Sequence, residues 1–194
     1  MSPVRAPYLL LSLLIAATLT LTALGGPSPL PGPESASAAV SCPGASLGPR
    51  RISSKRATDL VVCLINRARA RRGVGRLSQR EELIGAARRH SRKMQRTDCF
   101  DHVCPGEPAL AGRYERADYI PCGCSWGAAE NIAWGRRHKG SPRKIVRAWM
   151  NSSPHRANIL NGAYEHAGVG VRWGSPKRRR ANAGTYTLDF GYRR

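Results

Sequence analysis

Hydrophobic residues recur with a helical period in the first half of the chain. Between residues 54 and 72, Leu60, Leu64 and Ala68 lie on one face of a predicted helix. Gly73 follows as the residue that ends it, because glycine readily adopts the left-handed conformation that commonly closes a helix. The pattern predicts an amphipathic first helix that packs against a core.

A second helix is predicted after the short connector that follows. Ser78 and Glu81 have the spacing of a capping box, in which each side chain accepts a hydrogen bond from the other residue's backbone N–H. One stripe of this helix carries its buried positions, which are Leu83, Ala86, Ala87, His90 and Met94. Because His90 lies inside that stripe, we interpret it as a hydrogen-bonded core histidine in preference to a ligand.

The middle of the chain is rich in Cys, Gly and Pro. Residues 97–129 predict a long loop region with one short helix at 108–117. Ser141 and Pro142 then suit the N-cap and the first position of a third amphipathic helix. This helix is expected to end before a tight loop at residues 152–154.

The last part of the chain has the pattern of strands. Residues 167–173 and 185–192 alternate between apolar and polar positions and are joined by a basic, glycine-containing turn. Helices first and strands late, with hairpin connections, indicate an α+β fold in which helices pack on a small, mainly antiparallel sheet.

The N-terminus has the pattern of an export signal. One early base, Arg5, precedes an apolar run from Tyr8 to Leu24, which is long for a signal-peptide core and short for a membrane span. Ala36, Ser37 and Ala38 form an A-x-A cleavage candidate. We therefore expect a signal peptide at 1–38, a linker and N-terminal segment at 39–56, and one folded domain at 57–194. A secreted product cleaved near Ala38 is favoured over a retained membrane anchor.

Charge narrows the range of expected partners. The formal net charge is +20, and it is unchanged without residues 1–38, because one base, Arg5, and one acid, Glu34, leave together. Outside a cell this charge favours an anionic cell-envelope component or an acidic lipid. Specific nucleic-acid recognition is not expected, because the bases are scattered, with one short run at Lys177–Arg180 and no recognition helix. We expect a monomer.

Six cysteines follow the predicted leader, which fits an oxidising compartment and up to three disulfides. Six cysteines allow fifteen pairings, and the pattern alone does not choose among them. We hypothesise that Cys42 pairs with Cys63 and ties the entry segment to the first helix. The other four would then staple the middle loops, and they are Cys99, Cys104, Cys122 and Cys124.

Three blocks in a fixed order resemble a known family. They are Phe100-Asp101-His102, then Glu130 to Gly135, then Trp149 to Val171. Together they are similar to the CAP superfamily (cysteine-rich secretory proteins, antigen 5 and pathogenesis-related 1 proteins), in its bacterial secreted branch. The resemblance implies a three-layer α-β-α sandwich. We interpret Trp134 and Trp149, which lie in these blocks, as core residues in preference to ligand platforms.

The resemblance, which covers residues 58–192, also implies a site. In the CAP fold two histidines and two acids line a cleft, and three of these positions match His102, Glu130 and His155. Ser152 stands where many members have the second acid, which removes one negative charge. Two imidazoles and a carboxylate are suitable ligands for a divalent metal such as Zn²⁺. We therefore predict a non-enzymatic module that binds a divalent metal or a small cell-envelope ligand.

Two other functions stay open. The first is an extracellular hydrolase or protease in which Ser152 or Ser153 acts with His155 as base and Glu130 as its orienter. Against it, a three-residue spacing rarely lets serine and histidine side chains meet in line, and no G-x-S-x-G elbow is present. The second is a charge-driven binder of anionic envelope polymers. Each site residue also has a structural alternative, in which Glu130 caps a turn or His155 orients the Ser-Ser-Pro loop.

Overall fold

The computed structural model describes residues 41–120, 123–177 and 181–194. The predicted signal peptide, Cys122 and the arginines at 178–180 lie outside the described residues. The helices and strands of the described part are, in chain order, α1 Ser54–Ala70, β1 Ser78–Gln79, α2 Glu81–Arg96, α3 Leu110–Glu115, β2 Trp126–Arg136, a 3-10 helix Arg137–Gly140, α4 Pro142–Asn151, α5 Ser153–Leu160, β3 His166–Trp173 and β4 Ala183–Arg193.

The strands of the described residues form one sheet in the order β1-β3-β4-β2. β4 runs antiparallel to both β3 and β2, and the two-residue β1 adds a short parallel pair with β3. The prediction of an α+β fold with a mainly antiparallel sheet is confirmed, and the parallel pair makes the sheet mixed. β2 lies at one edge, with β4 as its neighbour.

Helices cover both faces of the sheet, as the predicted three-layer sandwich requires. α1, α4 and α5 enclose the larger hydrophobic core, which includes Trp149, Leu188 and Phe190. α2 and α3 cover the opposite face, where Leu83 and Tyr114 form a smaller cluster. Because successive strand residues point to opposite faces, the two sides of β4 differ: its even-numbered residues fill the large core, and its odd-numbered ones face α2 and α3.

The predicted first helix is confirmed. Ser53 is its N-cap, and the Ser53 hydroxyl accepts a hydrogen bond from the Arg56 backbone N–H at 3.1 Å. Leu60 and Leu64 are buried as predicted. The helix ends at Ala70, and Gly73 has the left-handed conformation expected of it, with φ of 66°.

The prediction of a capping box at the start of α2 is wrong. Ser78 belongs to β1, and both its backbone N–H and its hydroxyl donate to the carbonyl of Glu165. With these groups engaged in strand pairing, the helix begins at Glu81 behind Arg80, whose side chain forms no capping hydrogen bond. The predicted buried stripe of α2 is confirmed.

Residues 126–136 are a strand, so the prediction of a loop region up to residue 129 is wrong, and the alternative in which Glu130 caps a turn does not hold. β2 pairs with β4 residue by residue, from Trp126 opposite Arg193 to Arg136 opposite Ala183. Its many alanines and glycines have weak strand propensity, which hid the strand from the sequence pattern. Pairing with β4 specifies it instead.

The last helical pair differs slightly from the prediction. α4 begins at Pro142 after Ser141, as predicted, although the Ser141 side chain forms no capping hydrogen bond. The predicted loop at residues 152–154 shrinks to the single residue Ser152, since α5 starts at Ser153 with a proline in its first turn.

Two disulfides are present in the described residues. Cys42 is bonded to Cys63, which confirms the predicted link between the entry segment and α1. Cys99 is bonded to Cys104 and closes the loop after α2. This second bond is one of the expected staples in the middle of the chain.

The two tryptophans of the family blocks have different environments. Trp149 is 1% exposed, and its indole N–H donates to the Ile132 carbonyl at 3.1 Å, so its interpretation as a core residue is confirmed. Trp134 is partly exposed and belongs to none of the hydrophobic clusters of the described chain. Its interpretation as a core residue is wrong, because it lies near the end of the edge strand, where its indole borders an open cavity.

α2 packs closely against the sheet at two glycines of β3, Gly168 and Gly170. A Cβ at Gly170 would overlap the backbone of Ala87, so we expect Gly170→Ala to lower the free energy of unfolding by about 1–3 kcal/mol. Gly162→Ala is the matched control, because nothing lies within 4 Å of its Cβ position. Urea unfolding of both variants measures this, and equal stability of the two would contradict close packing of α2 on β3.

Candidate functional site

The candidate site is built around Glu130, in the middle of the edge strand β2. Register with β4 places Glu130 opposite Asp189 and points its side chain toward α2 and α3. The residue is 7% exposed. A buried carboxylate needs hydrogen-bonding partners of opposite charge, since desolvation strongly disfavours an isolated ion.

Two side chains satisfy the Glu130 carboxylate. His102, in the loop closed by the Cys99–Cys104 disulfide, places its Nδ1 at 2.7 Å from Oε1. Arg113, on α3, donates from Nη2 to Oε2, also at 2.7 Å. The Arg113 side chain is 5% exposed, so this ion pair is buried. The site therefore holds the loop after α2 and the helix α3 against β2.

A second acid–histidine pair lies behind the first. His90 Nδ1 is 2.8 Å from Glu107 Oε2, and His90 Nε2 is 3.6 Å from Glu130 Oε2. Burial lowers the pKa of His90, although the carboxylate of Glu130 opposes this. His90 is thus a neutral, hydrogen-bonded interior histidine, as its position in the α2 stripe predicted, and it also borders the site.

Asp189 completes the interior of the site from β4. Burial and the adjacent Glu130 carboxylate raise the pKa of Asp189 well above its usual range. Two neighbouring buried carboxylates do not both ionise, so Asp189 is the neutral acid of the pair. Burial raises the pKa of Glu130, but the hydrogen bond from His102 and the charge and hydrogen bond of Arg113, together with the nearby His90, outweigh burial, and the net pKa lies below its usual value.

His102 is the exposed member of this network. Its side chain is 54% exposed, while the Glu130 carboxylate that holds it is 3% exposed. The hydrogen bond from His102 to Glu130 raises the pKa of His102 despite partial burial. The network therefore presents a half-exposed imidazole whose Nδ1–H is oriented by a buried carboxylate.

His155 approaches the same edge of the sheet from the other helical layer. The Asn131 side chain, next to Glu130 on β2, donates to the His155 carbonyl at 3.0 Å and positions the start of α5. His155 Nδ1 is 2.8 Å from the Ser152 hydroxyl. Burial lowers the pKa of His155, and the positive charge of His102 lowers it further. The two imidazoles therefore interact electrostatically across the edge of β2.

The structure brings the predicted residues together in two pairs. His102 contacts Glu130, and His155 contacts Ser152. The expectation that the serine and histidine side chains rarely meet at this spacing is wrong for Ser152, because the extended residue before α5 places its hydroxyl over the first turn. Glu130 orients His102, so the predicted role of Glu130 as the orienter of His155 is also wrong.

Three members of the network were not predicted. They differ in how far the sequence pattern could have indicated them. Arg113 lies on the predicted short helix within the long loop region, with no signal that marked it as a site residue. Asp189 is the one acid in the apolar pattern of residues 185–192. Glu107 gave no signal of its own, since its role depends on a contact with α2.

The predicted Zn²⁺ set is not assembled as three free ligands. Hydrogen bonds from His102 and Arg113 occupy both oxygens of Glu130, and the guanidinium adds a positive charge. The described residues contain no group of three His, Cys, Asp or Glu arranged to hold a metal ion. These side chains, as they stand, do not fit a three-ligand zinc centre.

Comparisons with known proteins agree on one family. The profile of the cysteine-rich secretory protein family, CAP, matches residues 62–189. YkwD of Bacillus subtilis is 38% identical over 112 residues, which are 57% of this chain and 40% of that protein. An extracellular SCP-domain protein from Bacillus anthracis superposes with a TM-score of 0.57 at 25% identity, covering 72% of this chain and 43% of its own.

A third relative shows the fold alone. An outer surface protein from Borrelia burgdorferi superposes with a TM-score of 0.60 at 19% identity, over 74% of this chain and 97% of its own. The match spans less than half the length of the two Bacillus proteins. In the described part of this chain, no helix has the length and apolar character of a membrane span.

The His102–Glu130 hydrogen bond predicts how the two exposed histidines titrate. We expect His102 to have a pKa above the ordinary value of about 6.5 and His155 a pKa below it. Because the folded pKa of His102 is raised, its contribution to stability is complete below about pH 6.5 and is lost as pH rises through the folded pKa. Histidine-ring NMR titration should show the His102 pKa falling in Glu130→Gln.

Ser152→Ala is the matched control for this titration. It removes the hydroxyl beside His155 and leaves Glu130 in place, so the pKa of His102 should stay raised. An unchanged His102 pKa in Glu130→Gln would show that the carboxylate does not control the imidazole.

Proposed function

Because the chain belongs to the cysteine-rich secretory protein (CAP) family, we propose that it is an extracellular, non-catalytic binding module. Its ligand would be a small polar molecule of the cell envelope that carries an anionic group. The binding groups would be the imidazoles of His102 and His155 and the hydroxyl of Ser152, here called the histidine site. The observation that carries this proposal is the half-exposed His102, fixed by the buried Glu130 carboxylate.

The histidine site is preorganised for binding, because its His102 side chain is held in place before a ligand arrives. The carboxylate that orients His102 is buried in an ion pair, and the loop that carries His102 is closed by a disulfide. Little side-chain freedom is therefore lost when a ligand binds, which favours affinity at a small contact area.

The chemistry of the two imidazoles indicates a ligand with both donors and an anionic group. His102, with its raised pKa, supplies a proton and positive charge over a wider pH range than an ordinary histidine. His155, with its lowered pKa, is neutral at pH 7 and retains an accepting nitrogen. The positive charge of the whole chain adds a general attraction for such ligands.

A divalent metal ion is a second candidate ligand for the histidine site, with less support than a small anionic molecule. Glu130 is already neutralised, so Zn²⁺ would depend on the Nε2 atoms of His102 and His155. The hydrogen bonds that these two imidazoles form with other described side chains use Nδ1 in both cases. Two imidazoles supply fewer ligands than a structural zinc site requires.

Glycerol 3-phosphate is a suitable probe, since it joins a polar backbone to a phosphate. We expect His102→Ala/His155→Ala to raise its Kd at least about tenfold at pH 6.5, which corresponds to a loss of about 1.4 kcal/mol. Arg71→Gln/Arg72→Gln, which removes two exposed arginines outside the histidine site, should leave the Kd unchanged. Calorimetry with Zn²⁺ on the same variants tests the metal form, and equal binding by all proteins would exclude the histidine site in both.

A hydrolase is the second candidate, and the Ser152–His155 hydrogen bond is the observation that favours it. The groups of a triad are nonetheless divided between two imidazoles, since the acid orients His102 and the serine contacts His155. Without an acid on its imidazole, His155 is a weak base for activating a serine.

We therefore expect no labelling of the protein by a fluorophosphonate probe and no peptide cleavage. Ser152→Ala and Ser153→Ala serve as paired controls, since Ser152 is the serine that contacts the histidine. Labelling of the wild type that disappears in Ser152→Ala alone would replace the binding proposal with a hydrolase.

The third possibility, charge-driven binding of anionic envelope polymers, is compatible with the histidine site. It differs in its dependence on salt, because screening shortens to about 3 Å at 1 M ionic strength. Binding that relies on charge alone therefore disappears at high salt and is insensitive to which arginine is removed.

A further inference from the structure

A cavity of about 460 Å³ lies at the end of β2, away from the histidine site. Its lining residues are Trp134, Gly135, Arg136, Arg137, His138 and Lys139. We propose that this cavity, here called the Trp134 cavity, binds a saccharide unit that carries a carboxylate or phosphate group. This inference does not rest on the function proposed for the histidine site.

The indole of Trp134 supplies an apolar wall. β2 pairs with β4 without interruption, so Glu130 and Trp134, four residues apart, share one face of the sheet. No aromatic pair or hydrophobic cluster of the described chain includes this indole, whereas Trp149 and Trp173 both pack against the main core. A partly exposed indole beside a cavity is suited to stacking on the apolar C–H face of a sugar ring.

The wall opposite the indole is fixed by close backbone contacts. The 3-10 helix Arg137–Gly140 folds back onto β2, and a Cβ at Gly135 would overlap the backbone of Lys139. A Cβ at Gly140 would in turn overlap the Gly135 carbonyl. Arg137, at the turn itself, has a left-handed φ of 49°. The cavity is therefore part of the folded backbone and does not depend on a chance arrangement of side chains.

The cations of the cavity are available to a ligand. Arg136, Arg137 and Lys139 are exposed, and no acid is among the lining residues. The ion pairs formed between described residues include none of these three. Arginine offers a planar fork that matches carboxylate and phosphate oxygens in pairs.

The indole and the cations together select the ligand class. A neutral sugar would leave the positive charges without a partner, and an inorganic anion would leave the indole uncovered. A sugar ring with an anionic substituent uses both. Nucleotides also combine a flat ring with phosphate, but proteins that bind single-stranded nucleic acid stack successive bases on several aromatics. The lining of this cavity has one.

The test compares three monosaccharides at low ionic strength, followed by tryptophan fluorescence and calorimetry. Glucuronic acid and glucose 6-phosphate present the two anionic groups, and glucose is the neutral reference. We expect at least one charged sugar to bind, with a Kd at least about tenfold below that of glucose, equivalent to about 1.4 kcal/mol. The better of the two identifies carboxylate or phosphate as the preferred group.

Two variants locate the binding. Trp134→Ala and Arg136→Gln/Arg137→Gln should each raise the Kd of the charged sugar at least about tenfold. Trp126→Ala is the control for the indole, because Trp126 lies on the same strand and is 38% exposed. Arg71→Gln/Arg72→Gln is the control for charge, because it removes two exposed arginines elsewhere. Both controls should bind as the wild type does.

Four results would overturn the proposal. They are no binding of either charged sugar, equal binding of glucose, an equal loss of binding in the two control variants, and tighter binding of adenosine monophosphate than of both charged sugars. The arginine variant alters only exposed side chains, so it decides the question even if Trp134→Ala lowers stability. Unchanged sugar binding in His102→Ala/His155→Ala keeps this result separate from the histidine site.

Discussion

The buried carboxylate of Glu130 is the constraint around which this end of the molecule is organised. An ion at 7% exposure must be matched by charged or polar partners, because the desolvation penalty exceeds what a hydrogen bond to a neutral group returns. The partners come from separate parts of the chain: His102 comes from a disulfide-closed loop and Arg113 from α3, and together with β2 itself these make three segments. Satisfying one carboxylate thus brings three segments into a fixed arrangement.

This arrangement explains why the two histidines differ. On β2 the Glu130 side chain faces α2 and α3, whereas Asn131, the next residue, faces α5. Glu130 therefore controls His102, while Asn131 positions the backbone of His155. Neighbouring residues of one strand therefore position imidazoles in opposite layers, where the Glu130 hydrogen bond raises the pKa of His102 and burial lowers that of His155. A pair of histidines with divergent titration is better suited to holding a polar ligand than to acting as two equivalent metal ligands.

The sequence predicted the elements whose pattern is intrinsic and missed those defined by contact. α1, α4, β3 and β4 have apolar periodicity of their own, and each was predicted. β2 consists largely of small residues, so pairing with β4 specifies it and no local signal shows it. In the same way His102, Glu130 and His155 were found through a family resemblance, whereas Arg113 and Asp189 depend on tertiary contacts. Ser78 shows the opposite error. Its spacing to Glu81 matches a capping box, but its hydrogen-bonding groups are used in strand pairing instead.

The edge position of β2 explains why binding surfaces should occur at two places along this strand, one near its middle and one near its end. An edge strand has a paired neighbour on one side only, so its other side is open unless a helix or loop covers it. α3 and the disulfide-closed loop cover β2 at Glu130, and the fold-back of residues 137–140 leaves Trp134 beside an open cavity. A single uninterrupted register with β4 holds these two places at a fixed separation. The paired strands β2 and β4, covered differently near the middle of β2 and near its end, would therefore present two chemically distinct surfaces without any conformational change.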